Sequence, residues 1–137
     1  MTELIKGNLV ESKRFGEPNI VENGTIVLED GAIQGVFSDL PERYEGAPSA
    51  DYTGKLILQG FCDMHLHAPQ YPMLGMGMDL PLLDWLKTYT FRTEARFADT
   101  EYARRTYRAL ARALVENGTT RVSMFSSLHA EATLILM

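Results

Sequence analysis

The sequence predicts an α/β protein in two parts, a β-rich part over residues 1–58 and a strand–helix progression over residues 59–137. The first part contains short apolar runs separated by turn residues. In the second part β-rich runs alternate with helical patterns, which is typical of βα units and a parallel sheet. The chain has 137 residues, whereas a complete (β/α)8 barrel needs about 250. The second part therefore has room for about two to three βα units.

The strongest local signal in the first part is a hairpin. Residues 25–29 (TIVLE) and 32–37 (AIQGVF) flank Asp30–Gly31, a dipeptide that favours a two-residue turn between antiparallel strands. The remaining predicted elements of this part are a short strand over residues 4–10, a Pro-, Gly- and Ser-containing loop over residues 38–50, and a short strand over residues 55–58.

The clearest element of the second part is a long helix. We expect Asp99 or Thr100 to cap its N-terminus and Asn117–Gly118 to end it, since glycine readily adopts the left-handed conformation of a helix stop. One buried stripe is predicted from the helical spacing of Ala103, Tyr107, Leu110 and Leu114. The other elements are a buried strand over residues 61–67, a short helix over 82–89 with Pro81 near its start, a strand over 119–125, and a helix that begins over 131–137 and shows no C-cap.

Charge and composition exclude several classes of function. The net charge is −5 and the pI about 5.1, which argues against a broad phosphate-contacting face and therefore against nucleic-acid binding. Arg104, Arg108 and Arg112 recur at helical spacing, as on the solvated face of a helix. No apolar run approaches the ~20 residues of a membrane span. With Cys62 the single cysteine, an intrachain disulfide is excluded, and we expect a cytoplasmic protein without a membrane partner.

The residues that indicate chemistry are Asp63–Met64–His65–Leu66–His67. Side chains alternate faces along a strand, so Asp63, His65 and His67 point to one side. Two neutral imidazoles on one face can bind one divalent metal ion, and zinc is a good match. Asp63 can orient a histidine ring from the second shell of ligands or bond to the local backbone. Ligands at the carboxyl end of a strand are typical of sites in α/β barrels.

Three further side chains have both a structural and a functional interpretation. The amide of Gln70 can pair with the edge of a planar heterocycle, although an ordinary loop glutamine is the simpler interpretation. Trp85 either packs inward from a helix or walls a substrate pocket. His129 follows Ser126–Ser127, but without a nucleophile-elbow motif it is interpreted as a cap or loop residue.

Taken together, GFCDMHLH over residues 60–67 resembles the first-strand motif of the amidohydrolase superfamily, and the β-rich part resembles its small β-sandwich domain. HLHAPQY, DLPLLDWL, YTF, ENGTT and SSLHAEATLIL further resemble the guanine deaminases, whose N-terminal part the chain matches. The implied fold is the start of a truncated (β/α)8 barrel over residues 59–137, preceded by an incomplete sandwich over residues 1–58.

The resemblance implies a zinc-dependent hydrolytic deamination of guanine to xanthine and ammonia, in purine catabolism. His65 and His67 are then metal ligands, Asp63 lies in the second shell, and His67, Gln70 and Trp85 line the base pocket. The resemblance also implies a homodimeric full-length protein. The proton-shuttling glutamate and the remaining metal ligands are expected beyond residue 137, so no catalytic residue is assigned within the chain, which we expect to be inactive alone.

Two departures and two alternatives accompany this resemblance. Gln59 and Arg92 stand where the family commonly has proline, and we expect each to alter a turn rather than the chemistry. One alternative is another amidohydrolase, a deaminase or chlorohydrolase acting on a different nitrogen heterocycle. The second is a non-catalytic, degenerate remnant, which would hold zinc only loosely because two histidines supply half of a tetrahedral ligand set.

Overall fold

A computed structural model describes residues 1–137, except for the side chain of Lys13. The chain divides into two compact units, Met1–Gln59 and Gly60–Met137. No helix of the described residues is both long enough and apolar enough to cross a membrane. Each unit has its own cluster of buried apolar side chains.

The first unit is a four-stranded mixed sheet with the strand order β3-β2-β1-β4. The two hairpins, β1 with β2 and β2 with β3, are antiparallel, whereas β4 runs parallel to β1. Leu4, Val27 and Tyr44 form its buried cluster, with Tyr44 supplied by the 3₁₀ turn Glu42–Tyr44. The strands are β1 (Thr2–Arg14), β2 (Glu17–Glu29), β3 (Ala32–Phe37) and β4 (Ser49–Leu58).

The predicted hairpin is confirmed, but the strands are longer than predicted. Asp30 and Gly31 have φ values of 50° and 79°, the left-handed pair that a two-residue turn of this kind requires. Residues 17–24 extend β2, and residues 49–54, expected in part to be loop, extend β4. These segments are mostly polar and largely exposed, so backbone pairing with β1, rather than side-chain burial, makes them strands.

The second unit combines a two-stranded parallel sheet with helices. Strand β5 (Phe61–His67) pairs with β6 (Thr119–Phe125), with α3 (Thr100–Glu116) between them in the chain and α4 (Ala130–Leu136) after them. The core contains the predicted stripe of α3, since Ala103, Tyr107 and Leu110 are buried with Leu114 packed beside them. Phe97, Ala68 and Ala132 complete it.

Both ends of α3 are as the sequence predicts. The Asp99 carboxylate accepts hydrogen bonds from the N–H groups of Glu101, at 2.9 Å, and Tyr102, at 3.2 Å, which satisfies donors that the first helical turn leaves unpaired. At the other end Gly118 has a φ of 79°, the left-handed conformation that ends a helix. The arginines of this helix are exposed, as expected.

The helix predicted over residues 82–89 extends much further. Helix α1 (Leu82–Trp85) continues through a π-helical turn (Leu86–Thr90) into α2 (Phe91–Ala95) and a 3₁₀ turn (Arg96–Ala98). Residues 82–98 contain neither glycine nor proline, so nothing in the local sequence interrupts the helical backbone before Asp99.

The prediction that residues 61–67 form a buried strand is correct for the strand and wrong for the burial. Phe61 is 60% exposed and Met64 72% exposed, because among the described residues β6 is the only strand paired with β5. The described residues form one open sheet and one strand pair, neither a closed barrel nor a two-layer sandwich. The mixed α/β class is thus established, and the barrel and sandwich remain predictions.

Candidate functional site

The two histidines of the DMHLH motif lie together at the carboxyl end of β5. Strand alternation places His65 and His67 on one face, and their ring centroids are 5.1 Å apart with the planes at 70°. His65 is exposed and His67 half-buried. Both rings are therefore accessible to a ligand from the same side of the strand.

The spacing of the two rings fits a shared zinc ion. Two imidazoles bound through nitrogen at about 2.1 Å, with an angle near tetrahedral, have ring centroids about 5 Å apart. The measured 5.1 Å agrees with that value. Among the described residues, no group of three or more His, Cys, Asp or Glu side chains is placed to hold a metal ion. The histidine pair thus fits half of a four-ligand site.

Phe125 packs against this pair and was missed in the sequence. Its ring is stacked on that of His67, with centroids 4.8 Å apart and planes at 17°, and it meets His65 edge-on at 5.4 Å. The signal that could have found it is the parallel pairing of β5 and β6, which puts Phe125 opposite His67 in register. An aromatic face therefore supports the second histidine ring.

Asp63 shares the face of the two histidines but makes its hydrogen bond to the backbone. Its Oδ1 accepts from the N–H of His65 at 3.0 Å. This bond supports the strand at His65. Of the two roles that the sequence left open for Asp63, it corresponds to bonding with the local backbone. The orientation of a histidine ring by Asp63 remains a prediction.

A cavity of about 320 Å³ lies beside the histidine pair. That volume is in the range of small-molecule sites, and a mostly apolar wall with a few polar groups is typical of them. Leucines from β5 and α3 supply the apolar surface. The polar and apolar lining includes His65, His67, Gln70, Leu66, Leu110 and Leu114.

Gln70 is held at the edge of this cavity by the short 3₁₀ segment Ala68–Met73. Ala68 and Pro69, immediately before it, are fully buried, and Met73 is 3% exposed. The Nε2 of Gln70 donates to Oε1 of Glu94 in α2, at 3.3 Å. The structure therefore brings Gln70 together with His65 and His67, as predicted, and adds Glu94, which sequence reasoning missed.

Trp85 is not brought to this cavity. Its Nε1 donates to the carbonyl of Met76 at 2.9 Å, and its ring lines a second cavity of about 290 Å³ with Gly77, Met78, Leu80 and Leu82. The geometry of the described residues gives no support to the prediction that Trp85 lines the same pocket as His67 and Gln70. Its visible role is to hold the segment before α1.

His129 is the residue before α4, as the cap-or-loop interpretation expects, although its side chain does not cap the helix. Its backbone N–H donates to Oγ of Ser127 at 3.3 Å, and its carbonyl accepts from the hydroxyl of Thr133 at 3.2 Å. Ser126 accepts from the same Thr133 hydroxyl at 2.9 Å. These bonds tie the end of β6 to the start of α4.

Comparisons with known proteins find relatives over nearly the whole chain, although no protein-family model matches it. The guanine deaminase of Dictyostelium discoideum is 34% identical over 151 residues, covering 98% of this chain and 34% of that protein. A guanine deaminase from C. acetobutylicum, crystallised with guanine in its active site, has a TM-score of 0.91 at 43% identity, covering 99% of this chain and 32% of that one. An adenosine deaminase from Xanthomonas campestris with bound zinc has a TM-score of 0.70 at 19% identity, covering 97% and 30%.

These similarities show that the chain has the fold of the amidohydrolases. Within that class the chain is homologous to the guanine deaminases, which are hydrolases. It spans about a third of the length of the relatives that it matches.

Proposed function

We propose that the protein containing this chain deaminates guanine hydrolytically, releasing xanthine and ammonia, with a zinc ion held in part by His65 and His67. The observation that carries the proposal is the placement of Gln70 and the histidine pair around one cavity, in a chain homologous to guanine deaminases. The protein would act in purine catabolism as a cytoplasmic homodimer, where the exposed thiol of Cys62 stays reduced.

Within the proposal, His65 and His67 each offer one neutral ring nitrogen to the metal ion. A zinc ion in such a site lowers the pKa of a bound water toward neutrality. Phe125 limits the rotation of the His67 ring by stacking on it, and the hydrogen bond from the His65 N–H to Asp63 steadies the strand just before the two ligands. The chain's contribution is thus to present two ligands in a fixed geometry.

Gln70 has the base-binding role in this proposal. Guanine is flat, with hydrogen-bond donors and acceptors along its edges, and a primary amide can meet either kind of group. Gln70 lies three residues after His67 and lines the same cavity, so a base held by its amide lies beside the metal-binding rings. The remaining metal ligands and the carboxylate that transfers protons to the leaving ammonia are assigned to the rest of the protein.

The test is turnover of guanine by the whole protein, purified from its complete gene. We expect ammonia and xanthine to form in equal amounts, with activity lost after chelation and restored by Zn²⁺. Adenine and a chloro-substituted triazine serve as competing substrates. The absence of ammonia release from guanine by zinc-loaded protein, or a higher kcat/KM for another heterocycle, would contradict the proposal.

A further inference from the structure

Glu94 is the one acidic side chain that meets the base-binding amide, and its position in the helix is firmly fixed. It lies in α2, four residues after Thr90 and three residues before Phe97. Residues at these spacings lie on one helix face, and Thr90 is 2% exposed and Phe97 fully buried. Glu94, which is itself half-buried, is therefore held on the inner face between two buried anchors.

The partner of Glu94 is equally fixed. Gln70 stands in the 3₁₀ segment whose Ala68, Pro69 and Met73 are buried, so its backbone has little freedom to move away. Its Nε2 lies 3.3 Å from the Glu94 Oε1. Gln70 is among the residues that line the cavity beside the histidines, and Glu94 is not. The route by which Glu94 can influence that cavity is therefore its contact with the Gln70 amide.

The chemistry of the pair decides which end of the amide faces the pocket. An ionised carboxylate only accepts hydrogen bonds, whereas a primary amide carries two donors on nitrogen and an acceptor oxygen. Glu94 can therefore bind only the Nε2 end of Gln70. The amide cannot exchange its oxygen and nitrogen without placing an oxygen against the carboxylate, which leaves two acceptors facing each other at a cost comparable to a lost hydrogen bond.

We infer that Glu94 is a positioning residue that fixes the Gln70 amide so that its Oε1 is presented to an N–H group of the bound purine. This inference rests on the proposed function and adds to it the polarity of the base contact: Gln70 acts as an acceptor. A ligand offering only acceptors along that edge would be rejected, since its lone pairs would face the oxygen.

The test uses Glu94→Gln in the whole, zinc-loaded protein, with Glu131→Gln as the matched control. The glutamine side chain is nearly isosteric but can accept or donate, so it no longer selects one orientation of Gln70. The fraction of Gln70 that presents Oε1 then falls to about one half, so we expect KM for guanine to rise about twofold, with kcat unchanged. Glu131 is exposed in the first turn of α4, and its variant should leave both constants unchanged.

A double-mutant cycle with Gln70→Leu separates positioning from a structural role. If Glu94 acts through Gln70, Glu94→Gln has no further effect on KM once Gln70 is leucine. An unchanged KM in the single variant, a fall in kcat without a rise in KM, or an equal effect in both backgrounds would overturn the inference. Failure of the wild-type protein to deaminate guanine would overturn the proposed function and this inference together, whereas the other outcomes leave the proposed function standing.

Discussion

The two units of the chain are stabilised in different ways, and their chemistry differs accordingly. The first unit joins four long strands through backbone ladders around a small cluster of buried side chains. The second has a single pair of strands, and its helices pack around a larger buried cluster. His65, His67, Gln70 and Glu94 all belong to the second unit. The candidate functional side chains lie at the carboxyl end of a parallel strand and on the helical segments that follow it, an arrangement typical of sites in α/β barrels.

The two cores can be tested separately by shortening one buried side chain in each. Phe97→Ala removes a fully buried ring from the second unit and should cost about 3–5 kcal/mol of unfolding free energy. Val27→Ala removes two methyl groups from the equally buried centre of the first unit and should cost about 2 kcal/mol. Hydrogen exchange measured peptide by peptide checks both. Loss of protection spread evenly over both units in either variant would contradict the division.

Substitution of either histidine should lower activity without a comparable loss of unfolding free energy. His65→Asn and His67→Asn each remove a proposed metal ligand, and we expect guanine turnover by the whole protein to fall by at least about a hundredfold. Loss of a residue that only hydrogen-bonds to a metal ligand already costs about 10–100-fold. Met64→Ala, an exposed side chain directly before His65 in the sequence, should retain activity and serves as the control. Zinc content and thermal melting are measured alongside; a histidine variant with full zinc content and full activity would refute the assignment.

A smaller effect is expected at the start of α3. Asp99→Ala removes the acceptor for two N–H groups of the first turn and should lower the unfolding free energy by about 1 kcal/mol. Asp84→Ala, an exposed carboxylate of α1, should change it by less than about 0.5 kcal/mol. Chemical denaturation of the purified protein checks the pair. Equal losses in the two variants would show that the charge, rather than the cap, is responsible.

The smallest effect lies in the first unit and concerns pH. The Thr53 hydroxyl and backbone N–H both donate to Asp51 Oδ1, at 2.6 and 2.8 Å, and they lower the pKa of that carboxyl below its ordinary value of 3.8. The resulting stabilisation is present above the ordinary value and is lost as the pH falls through the folded-state pKa. Thr53→Val should raise the Asp51 pKa toward 3.8, which an NMR titration would detect, whereas Thr120→Val in β6 should not.

Local sequence signals were sufficient to predict the backbone conformation wherever one or two residues determine it. The Asp30–Gly31 turn, the Asp99 cap and the Gly118 stop each depend on the residue present and on its immediate neighbours. The strand at residues 61–67 was likewise predicted, with its histidines on one face. These are the parts of the fold and of the candidate site that a sequence can reveal by itself.

Long-range pairing determines what the sequence could not reveal. Residues 17–24 and 49–54 are mostly polar and become strands through pairing with β1. Phe125 reaches His67 through the register of two strands separated by α3, and Glu94 meets Gln70 across 24 residues. Trp85 lines a separate cavity in the described residues, so its assignment to the pocket of His67 and Gln70 stays a prediction.

The π-helical turn over Leu86–Thr90 determines the direction in which the side chains of the following helical residues point. There the N–H of Phe91 reaches back five residues to the carbonyl of Leu86, one residue more than in an α-helix. Each residue advances an α-helix by about 100°. Shortening this turn by one residue, for example by deleting the exposed Lys87, would rotate the downstream side chains by about that angle. Glu94 would then turn away from Gln70, so a single inserted or deleted codon here would remove the support of the Gln70 amide without altering any residue that lines the cavity beside the histidines.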